Sequence, residues 1–168
     1  MQPPTVLRPA REDDYPPIGE ALRDWWQLPG FDAASARERS ALVPRLWLQH
    51  FGSTSLVAER EGRFAGFLIG FLSPDRPDEG YIHFVGVAPP ARGVGLGRAL
   101  YERFFATCRA ARRDRVRCIT SPHNTTSIAF HRAMGFVIEP GTVGEGELRA
   151  KADYDGRGVH RVAFVRVL

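Results

Sequence analysis

The sequence is poor in lysine and cysteine, and it has no long apolar run. Nothing in it approaches the roughly 20 consecutive apolar residues that span a bilayer. Residues 1–14 also lack the apolar core of a secretory signal. The two cysteines, Cys108 and Cys118, have no metal-ligand spacing and do not indicate a disulfide framework. We therefore expect a reduced, cytoplasmic compartment and no bound metal.

Positive charge is carried almost entirely by arginine. Lys151 is the only lysine among the 23 basic residues, and the net charge is +4. Several arginines fall between Arg98 and Arg117, where they could meet a phosphate-rich ligand or form the solvated faces of a helix and a loop. The chain has no aromatic-interleaved basic stripe of the kind that binds single-stranded nucleic acid. We expect no nucleic-acid partner and no membrane partner.

The length and the order of the patterns predict the fold class. The 168 residues predict a single domain, 1–168, with enough apolar content (43%) to build a core. Strand and helix patterns follow the order β-α-α-β-β-β-α-β-α-β-β. Antiparallel hairpins come first and crossover helices later, which favours a mixed sheet with helices on both faces. The predicted fold class is therefore α/β, in the sense of an α+β mixed sheet.

Changes in apolar spacing mark the individual elements. Asp13 and Asp14 are expected to cap a first helix that runs to about Trp25, and Pro44 to interrupt a second over 34–50. The final strand is predicted to be exposed and able to pair between subunits, which would allow a homodimer. The other predicted elements are strands at 5–8, 55–58, 64–72, 81–87, 116–120, 136–138 and 159–167, helices at 95–112 and 124–134, and a glycine-rich loop at 141–158.

The most informative stretch is the glycine-rich turn after the strand at 81–87. Gly93, Gly95 and Gly97 allow positive φ and a close approach of the backbone to a ligand. The first N–H groups of the following helix lack intrahelical partners and lie at the positive end of its dipole. Such a turn can bind a phosphate or pyrophosphate, although a purely structural turn would have the same glycines.

Two common nucleotide motifs are excluded by the residues themselves. A dinucleotide fingerprint needs Gly-x-Gly-x-x-Gly, and counting from Gly93 or Gly95 the third glycine falls on Arg98 or Leu100. A Walker A loop needs Gly-Lys-Ser/Thr, and the only lysine is Lys151. A phosphate ligand at this turn would therefore be of another kind.

Two motifs resemble those of the GNAT superfamily of N-acetyltransferases. The run Arg92-Gly-Val-Gly-Leu-Gly97 fits the pattern Arg/Gln-x-x-Gly-x-Gly/Ala, and Val87-Ala-Pro before it fits as well. The run from Asn124 to Phe136 resembles the second motif, Asn-x-x-Ser/Ala followed by a helix that closes in Gly-Phe. The spacing of the motifs and the order of strands and helices match over most of the chain. The N-terminal third matches only in general layout.

The resemblance implies a GNAT-like fold, with a central and mostly antiparallel sheet whose middle strands splay apart to admit a thioester. It implies an acyltransferase, specifically an N-acetyltransferase that moves the acetyl group of acetyl-CoA onto a primary amine of a small molecule or protein by direct attack. The alternative is a catalytically silent acyl-CoA-binding sensor or regulatory domain of the same fold. The cofactor-binding residues carried over by the motifs are Val87, Arg92, Gly93, Val94, Gly95, Gly97, Arg98, Asn124 and His131.

The resemblance also implies roles within the cofactor site. Backbone N–H groups of the turn would hold the pyrophosphate, and a backbone N–H near Val87 would polarise the thioester carbonyl. Asn124 would cap the next helix and touch the cofactor. His131 stands where most relatives have a tyrosine that protonates the departing thiolate. Because the ordinary pKa of histidine is about 6.5 against about 10 for tyrosine, His131 is the predicted acid, unless it only packs against the cofactor.

A general base for the incoming amine is predicted on the strand beside the thioester. His83 lies four residues before Val87, and strand alternation places it on one face with Tyr81 and Val85. Glu79 or a chain of waters could take the same role. A lone histidine in an apolar strand is also commonly a core residue, so both interpretations of His83 stay open.

The acceptor site is the least determined part of the sequence. In the family it is built by the first two helices, their connection, and the loop before the last strand. Aromatic residues there could line a pocket or belong to the core, and Asp153 and Asp155 could pair with an ammonium group or remain solvated. The candidates for the substrate pocket are Trp25, Trp26, Phe31, Trp47, Tyr81 and Tyr154.

Overall fold

The computed structural model describes residues 4–26, 33–146 and 148–168. The chain divides into two compact units. Unit 1 comprises Met1–Phe71 and Ile82–Thr107, and unit 2 comprises Leu72–Tyr81 and Cys108–Leu168. The single domain expected from length stays a prediction, and Phe31 lies outside the described residues.

The strands and helices follow the predicted order with two differences. The helices are α1 (Tyr15–Asp24), α2 (Ala33–Leu42), α3 (Leu46–Phe51), α4 (Leu96–Ala110) and α5 (Thr125–Ala133). The strands are β1 (Thr5–Pro9), β2 (Leu56–Arg60), β3 (Arg63–Leu72), β4 (Glu79–Val87), β5 (Arg115–Thr120), β6 (Val137–Ile138), β7 (Val143–Glu145), β8 (Leu148–Ala150) and β9 (Val162–Val167). The predicted second helix is divided at Pro44 into α2 and α3, as the proline indicated, and two short strands, β7 and β8, lie in the predicted loop. Among the described residues, no helix is long and apolar enough to cross a membrane.

The main sheet has the strand order β1-β2-β3-β4-β5-β9-β6, and β7 and β8 form a separate two-stranded sheet. Residues 79–81 of β4 pair in parallel with residues 115–117 of β5. Antiparallel pairing joins β1 to β2, β2 to β3, β5 to β9 and β6 to β9. The predicted mixed and mostly antiparallel sheet is confirmed. The splay of β4 and β5 beyond their pairing stays a prediction.

In unit 1, β2 and β3 form the predicted hairpin. Glu61 and Gly62 occupy its turn with φ of 54° and 70°, the positive values that a type I′ turn requires at both central positions. Apolar residues of these strands pack with α1 and α3 in one core. Its buried members are Ala10, Ile18, Ala21, Leu22, Val43, Leu48, Val57, Phe67 and Ile69.

Asp14 joins the first strand to α1 in a way that differs from the prediction. It is the N-cap residue of α1 by position, but its carboxylate makes no capping hydrogen bond to α1. The Arg8 guanidinium instead donates to both of its oxygens at 2.7 and 2.8 Å, and Arg11 N–H donates at 2.7 Å. Burial alone would raise the pKa of Asp14, but these donors bring it below its ordinary value. Asp14 is thus the predicted N-cap residue of α1 by position, but its side chain accepts from Arg11 N–H in a capping box of the preceding 3₁₀ turn, Glu12–Asp14, and anchors β1.

In unit 2, β9 lies in the middle of the sheet and not at an edge. It pairs with β5 from Arg115↔Val167 to Thr120↔Val162. It pairs with β6 through Val137↔Val165 and Ile138↔Phe164. The expectation of an exposed final strand that pairs between subunits is therefore wrong, because both sides of β9 are already paired. The predicted loop at 141–158 also contains a short hairpin, β7 and β8, with only three residues in each strand.

Candidate active site

The glycine turn, residues 92–98, has the backbone that its sequence predicts. β4 ends at Val87, a 3₁₀ turn spans Pro89–Ala91, and α4 begins at Leu96. Gly93 and Gly95 have φ of 77° and 86°, a region that residues with a Cβ avoid. Apart from each glycine and its two chain neighbours, no atom of the described residues lies within 4 Å of the place where a Cβ would stand. The turn therefore leaves room for a ligand directly against its backbone.

Six consecutive N–H groups of this turn form no hydrogen bond of good geometry with any oxygen in the part of the chain that the structure describes. They belong to residues 93–98, and the next N–H, that of Ala99, donates to Gly95 O at 3.0 Å. Three of the six open α4, where the helix dipole adds partial positive charge. A row of unused donors at a helix start can bind an oxyanion such as a phosphate.

Arg92 and Arg98 lie at the two ends of the turn and differ in their contacts. The N–H of Arg92 lies 3.3 Å from Pro89 O, so it belongs to the 3₁₀ turn. The Arg92 guanidinium donates through Nε to Val87 O at 3.1 Å and through Nη2 to Trp25 O at 2.6 Å. Arg98 is exposed and forms no ion pair with the described residues. The row of donors therefore begins at Gly93, and the predicted backbone donation by Arg92 is not supported.

The N–H of Val87 points away from β3. Its neighbour Ala88 donates to Ala65 O at 2.9 Å, across the line between β4 and β3. Successive N–H groups of a strand alternate in direction, so the N–H of Val87 points to the opposite side of β4. This direction is compatible with the predicted polarisation of a thioester carbonyl.

His83 is a half-buried residue of β4 with one ring nitrogen committed. Its Nε2 lies 2.6 Å from Leu42 O at the end of α2. Because a carbonyl only accepts, the neutral ring donates Nε2–H there and Nδ1 carries the lone pair. The ring stacks on Trp47, with centroids 4.3 Å apart and an interplanar angle of 17°. Burial lowers the pKa of His83, so the ring is neutral at pH 7 and Nδ1 is its basic atom.

His131 is buried in α5, and its proton is committed within the same helix. Nδ1 lies 2.7 Å from Ser127 O, so the neutral ring donates Nδ1–H to that carbonyl. The ring stacks on Phe164, with centroids 4.8 Å apart, and only 6% of the residue is exposed. Burial lowers the pKa of His131, which disfavours the imidazolium that an acid requires.

The predicted cap of α5 is confirmed, because the Asn124 side chain accepts the Ser127 N–H at 3.1 Å.

Glu79, the alternative base, is buried and ion-paired. Arg117 Nε donates to one of its oxygens at 2.7 Å, and Arg76 lies 3.4 Å from the other. Arg117 also donates to Glu139, whose second oxygen receives Lys151 Nζ at 3.3 Å. Glu79 therefore belongs to a network of charges that sequence reasoning missed, since nothing in the spacing of these residues signals it. Among the described residues, no group of three or more His, Cys, Asp or Glu side chains could hold a metal ion.

Tyr81 and Tyr154 come together in unit 2. A hydrogen bond joins their side chains, and burial raises the pKa of Tyr81 well above its ordinary value, with nearby negative charge acting in the same direction. The Tyr81 hydroxyl therefore stays protonated at neutral pH. Tyr154 is 45% exposed, so this pair presents a phenol to solvent.

Tyr154 is carried by a loop at residues 151–161, the closed loop, whose polar groups are largely used internally. Asp153 accepts the Gly158 N–H at 2.7 Å, and its own N–H donates to His160 Nδ1 at 3.0 Å. Asp155 accepts from Arg161 Nε at 2.6 Å. The two carboxylates predicted as partners of an ammonium group are therefore already engaged within the loop.

The tryptophans predicted to line a pocket pack against the core of unit 1. Trp25 lies 5.4 Å from Phe64, and Trp26 lies 5.5 Å from Phe84, measured between ring centroids. All three tryptophans of the chain border the buried core and remain partly exposed. Each ring therefore contributes to packing, and its exposed part is what could meet an acceptor.

Gly86 is a residue of this region that sequence reasoning missed. A Cβ at Gly86 would lie 2.5 Å from the Phe67 ring and 3.0 Å from the Trp26 ring. Glycine at this position therefore lets Trp26 pack closely against β4. The available signal was a glycine inside a predicted strand, which often marks a close approach.

Comparison with known proteins defines the family. The chain belongs to the acetyltransferase (GNAT) family, whose sequence pattern matches residues 19–136. It is 33% identical over 119 residues to an L-2,4-diaminobutyric acid acetyltransferase of Nocardia farcinica, across 71% of this chain and 61% of that protein. It is 34% identical over 145 residues to a phosphinothricin N-acetyltransferase of Alcaligenes faecalis, across 79% of this chain and 70% of that protein.

Solved structures share the fold. A diaminobutyrate acetyltransferase from Paenibacillus lautus, in complex with L-2,4-diaminobutyric acid and coenzyme A, is similar with a TM-score of 0.64 at 20% identity. That similarity covers 97% of this chain and 94% of the other. The sequence matches to the first two curated relatives span only 61% and 52% of those proteins.

Proposed function

We propose that this chain is an acetyl-CoA-dependent N-acetyltransferase that acts on a primary amine of a small molecule or protein. The observation that carries the proposal is the row of six unused N–H groups at residues 93–98, within the motif of the GNAT family. Relatives named for acetylation of L-2,4-diaminobutyric acid and phosphinothricin support an amine as acceptor.

The glycine turn is the proposed site for the pyrophosphate of acetyl-CoA. Gly93, Val94, Gly95 and Gly97 offer backbone donors, and Arg98 adds a side chain that can reach a phosphate. The N–H of Val87, directed away from β3, would donate to the thioester oxygen as negative charge grows there. Asn124 and His131 remain proposed contacts of the cofactor, carried over from the second motif.

The proposed reaction is direct attack by the neutral amine. Its nitrogen bonds to the thioester carbon, the C–S bond breaks, and the electron pair leaves on the sulfur of CoA. His83 Nδ1 takes the proton that the nitrogen loses, while Leu42 O keeps Nε2–H in place during and after that transfer. The thiolate is released and gains its proton from solvent, and holding both substrates together lowers the barrier further.

His131 has a different proposed role from the acid that the sequence predicts. Its neutral ring gives its proton to Ser127 O, and burial opposes a second proton. A proton for the thiolate would have to come from the disfavoured imidazolium. We therefore keep His131 as a residue that packs at the cofactor and not as the acid.

The acceptor contacts, the compartment and the oligomeric state are also proposals. Tyr81 and the exposed Tyr154 can present their side chains to an acceptor, and the exposed parts of Trp25 and Trp26 can present apolar surface. Both cysteines are free and buried, which is consistent with a reduced, cytoplasmic compartment. A homodimer formed by strand pairing would need a strand other than β9, and β1 and β6 lie at the two edges of the main sheet.

The test of the function combines binding with turnover. Saturating acetyl-CoA should raise the melting temperature, since ligand at 100 times its Kd adds about 2.7 kcal/mol to stability. Thiol release would then be measured with L-2,4-diaminobutyric acid, phosphinothricin, other small amines and peptides with free N-termini. Release with one class of amine would support the enzyme and name its substrate. Stabilisation without release from any amine would favour the sensor, and no stabilisation would contradict the site.

The test of the base compares the two histidines. His83→Gln should lower kcat/KM by roughly 10²- to 10⁴-fold, the usual contribution of a general base, with little change in CoA affinity. His131→Gln should lower kcat less than tenfold. Because burial lowers the pKa of His83, the pH profile of kcat in the wild type should have an acidic limb below about pH 6.5 that His83→Gln loses. The limb that the ammonium group of the acceptor sets at higher pH in kcat/KM should remain in both proteins. Equal losses of kcat in the two variants would contradict this assignment.

A further inference from the structure

The end of α1 depends on a side chain from the glycine turn. α1 ends at Asp24, and Trp25 is its C-cap residue. The last carbonyls of a helix have no partner within the helix and lie at the negative end of its dipole, where a cation is favoured. Arg92 Nη2 donates a hydrogen bond to one of these carbonyls, Trp25 O, at 2.6 Å.

The same guanidinium also holds the end of β4. Arg92 Nε donates to Val87 O at 3.1 Å, and Val87 is the last residue of that strand. A guanidinium is a planar fork whose donors point in fixed directions, so one side chain can set the separation of two carbonyls. Arg92 therefore links the residue proposed to meet the thioester with the helix end that carries Trp25.

The backbone of Arg92 adds the third connection. Its N–H is held by Pro89 O, and the very next residue, Gly93, begins the row of unused donors. A phosphate drawn to that row must fix the backbone beside Arg92, and a fixed backbone fixes where the guanidinium can reach. No ligand contact of the Arg92 side chain is needed for this effect.

We propose that Arg92 is a positioning residue through which acetyl-CoA, once bound at the glycine turn, orders the end of α1 and with it Trp25 and Trp26. The inference rests on the proposed function, because it takes the turn to be the cofactor site. It deepens that function by making the proposed acceptor surface of unit 1 dependent on cofactor binding.

The packing of α1 makes Arg92 testable without loss of the fold. Trp25 lies 5.4 Å from Phe64 and Trp26 lies 5.5 Å from Phe84, so aromatic contacts keep α1 packed on the core when the guanidinium is removed, although the last turn of the helix then loses a hydrogen-bond partner. Arg92→Gln removes the guanidinium fork, and Arg92→Lys keeps the charge but replaces the planar fork with an ammonium on a flexible stem, whose donors do not fix the separation of the two carbonyls. Arg98→Gln is the matched control, because it removes a cation from the same turn without touching either carbonyl.

The experiment is hydrogen exchange of the amides at residues 23–26, with and without coenzyme A at saturation. In the wild type and in Arg98→Gln, coenzyme A should slow this exchange several-fold, although Arg98→Gln needs more coenzyme A to saturate. In Arg92→Gln the ligand should still bind, within about threefold of wild-type affinity, yet leave the exchange at the end of α1 unchanged. Arg92→Lys should give an intermediate slowing.

Two results would overturn the proposal. One is the same ligand-induced slowing in Arg92→Gln as in the wild type. The other is faster exchange throughout unit 1 in Arg92→Gln, which would mean that Arg92 only stabilises the fold. Failure of coenzyme A to bind the wild type would contradict the proposed function. In that case the ligand-free proteins still decide whether Arg92 holds α1, since exchange at residues 23–26 should be several-fold faster in Arg92→Gln alone.

Discussion

The glycine turn at 92–98 and the closed loop at 151–161 each contain two exposed glycines with positive φ. These are Gly93 and Gly95 in the turn, with φ of 77° and 86°, and Gly156 and Gly158 in the closed loop, with φ of 121° and 79°. At all four positions the space for a Cβ is open. Glycine content and backbone angles therefore do not distinguish the two segments.

The difference lies in where the N–H groups go. In the closed loop, the N–H groups of residues 153, 155, 156, 158 and 159 all find acceptors within the loop. In the glycine turn, those of residues 93–98 find none among the described residues. The closed loop contains Asp153 and Asp155, whereas residues 88–101 contain no acidic residue at all. A glycine loop can bind an anion only when its own carbonyls and side chains leave the N–H donors unused.

The largest effect should come from adding a carboxylate to the open turn. Val94→Asp places a negative charge beside the unused donors, at a residue that is 42% exposed. Like charges at a binding surface cost several kcal/mol, so the Kd for coenzyme A should rise by roughly 30-fold or more. Val159→Asp makes the same change in the closed loop, at 37% exposure, and should leave the Kd within about twofold. Equal effects by calorimetry would contradict the comparison.

A smaller effect is expected from removing a cation. Arg98→Gln should weaken coenzyme A binding about five- to tenfold, since a charge-assisted contact with phosphate is lost. The salt dependence of binding should also become shallower, because one screened interaction disappears. Arg157→Gln removes an exposed cation from the closed loop and should change neither quantity. Titrations at two salt concentrations measure both, and an unchanged salt dependence in Arg98→Gln would argue against the role of Arg98.

The smallest effect is expected from single methyl groups. Gly93→Ala and Gly158→Ala each force a residue with a Cβ to keep positive φ, which costs roughly 1–2 kcal/mol of stability. Denaturant unfolding should show similar losses for both variants. Only Gly93→Ala should also weaken coenzyme A binding, by a few-fold, because its methyl group occupies the open side of the turn. A matching loss of affinity in Gly158→Ala would mean that the closed loop also serves the cofactor.

The features that the sequence could predict are those encoded over short distances. The glycine turn, the cap by Asn124 and the hairpin at Glu61 and Gly62 depend on neighbouring residues, and each is present in the structure. The family motif extended this to the order of strands and helices. Local patterns were therefore enough to predict the fold class and the place of the glycine turn.

The features that could not be predicted depend on partners far away in the chain. The tautomer of His83 is set by Leu42 O, and the side chain of Arg92 reaches Trp25 O. Neither contact can be predicted from residue types, because every residue has a backbone carbonyl. Alternation along β9 signals that one face is buried but does not say which strands pair with it. The interior position of β9 could therefore not be predicted from the sequence pattern.

The pairing of β5 with β9 has a consequence for handling this protein in solution. Cys118 of β5 lies opposite Phe164 of β9 and is buried, and burial raises the pKa of its thiol well above the ordinary value. The native thiol is therefore unreactive. During refolding, β5 has to pair with β9, which follows it in the chain only after α5 and the β7–β8 hairpin. Pairing between segments so far apart in sequence is slow. Until it forms, the Cys118 thiol is exposed to oxidation, so recovery from denaturant should depend on a reductant although the folded protein needs none.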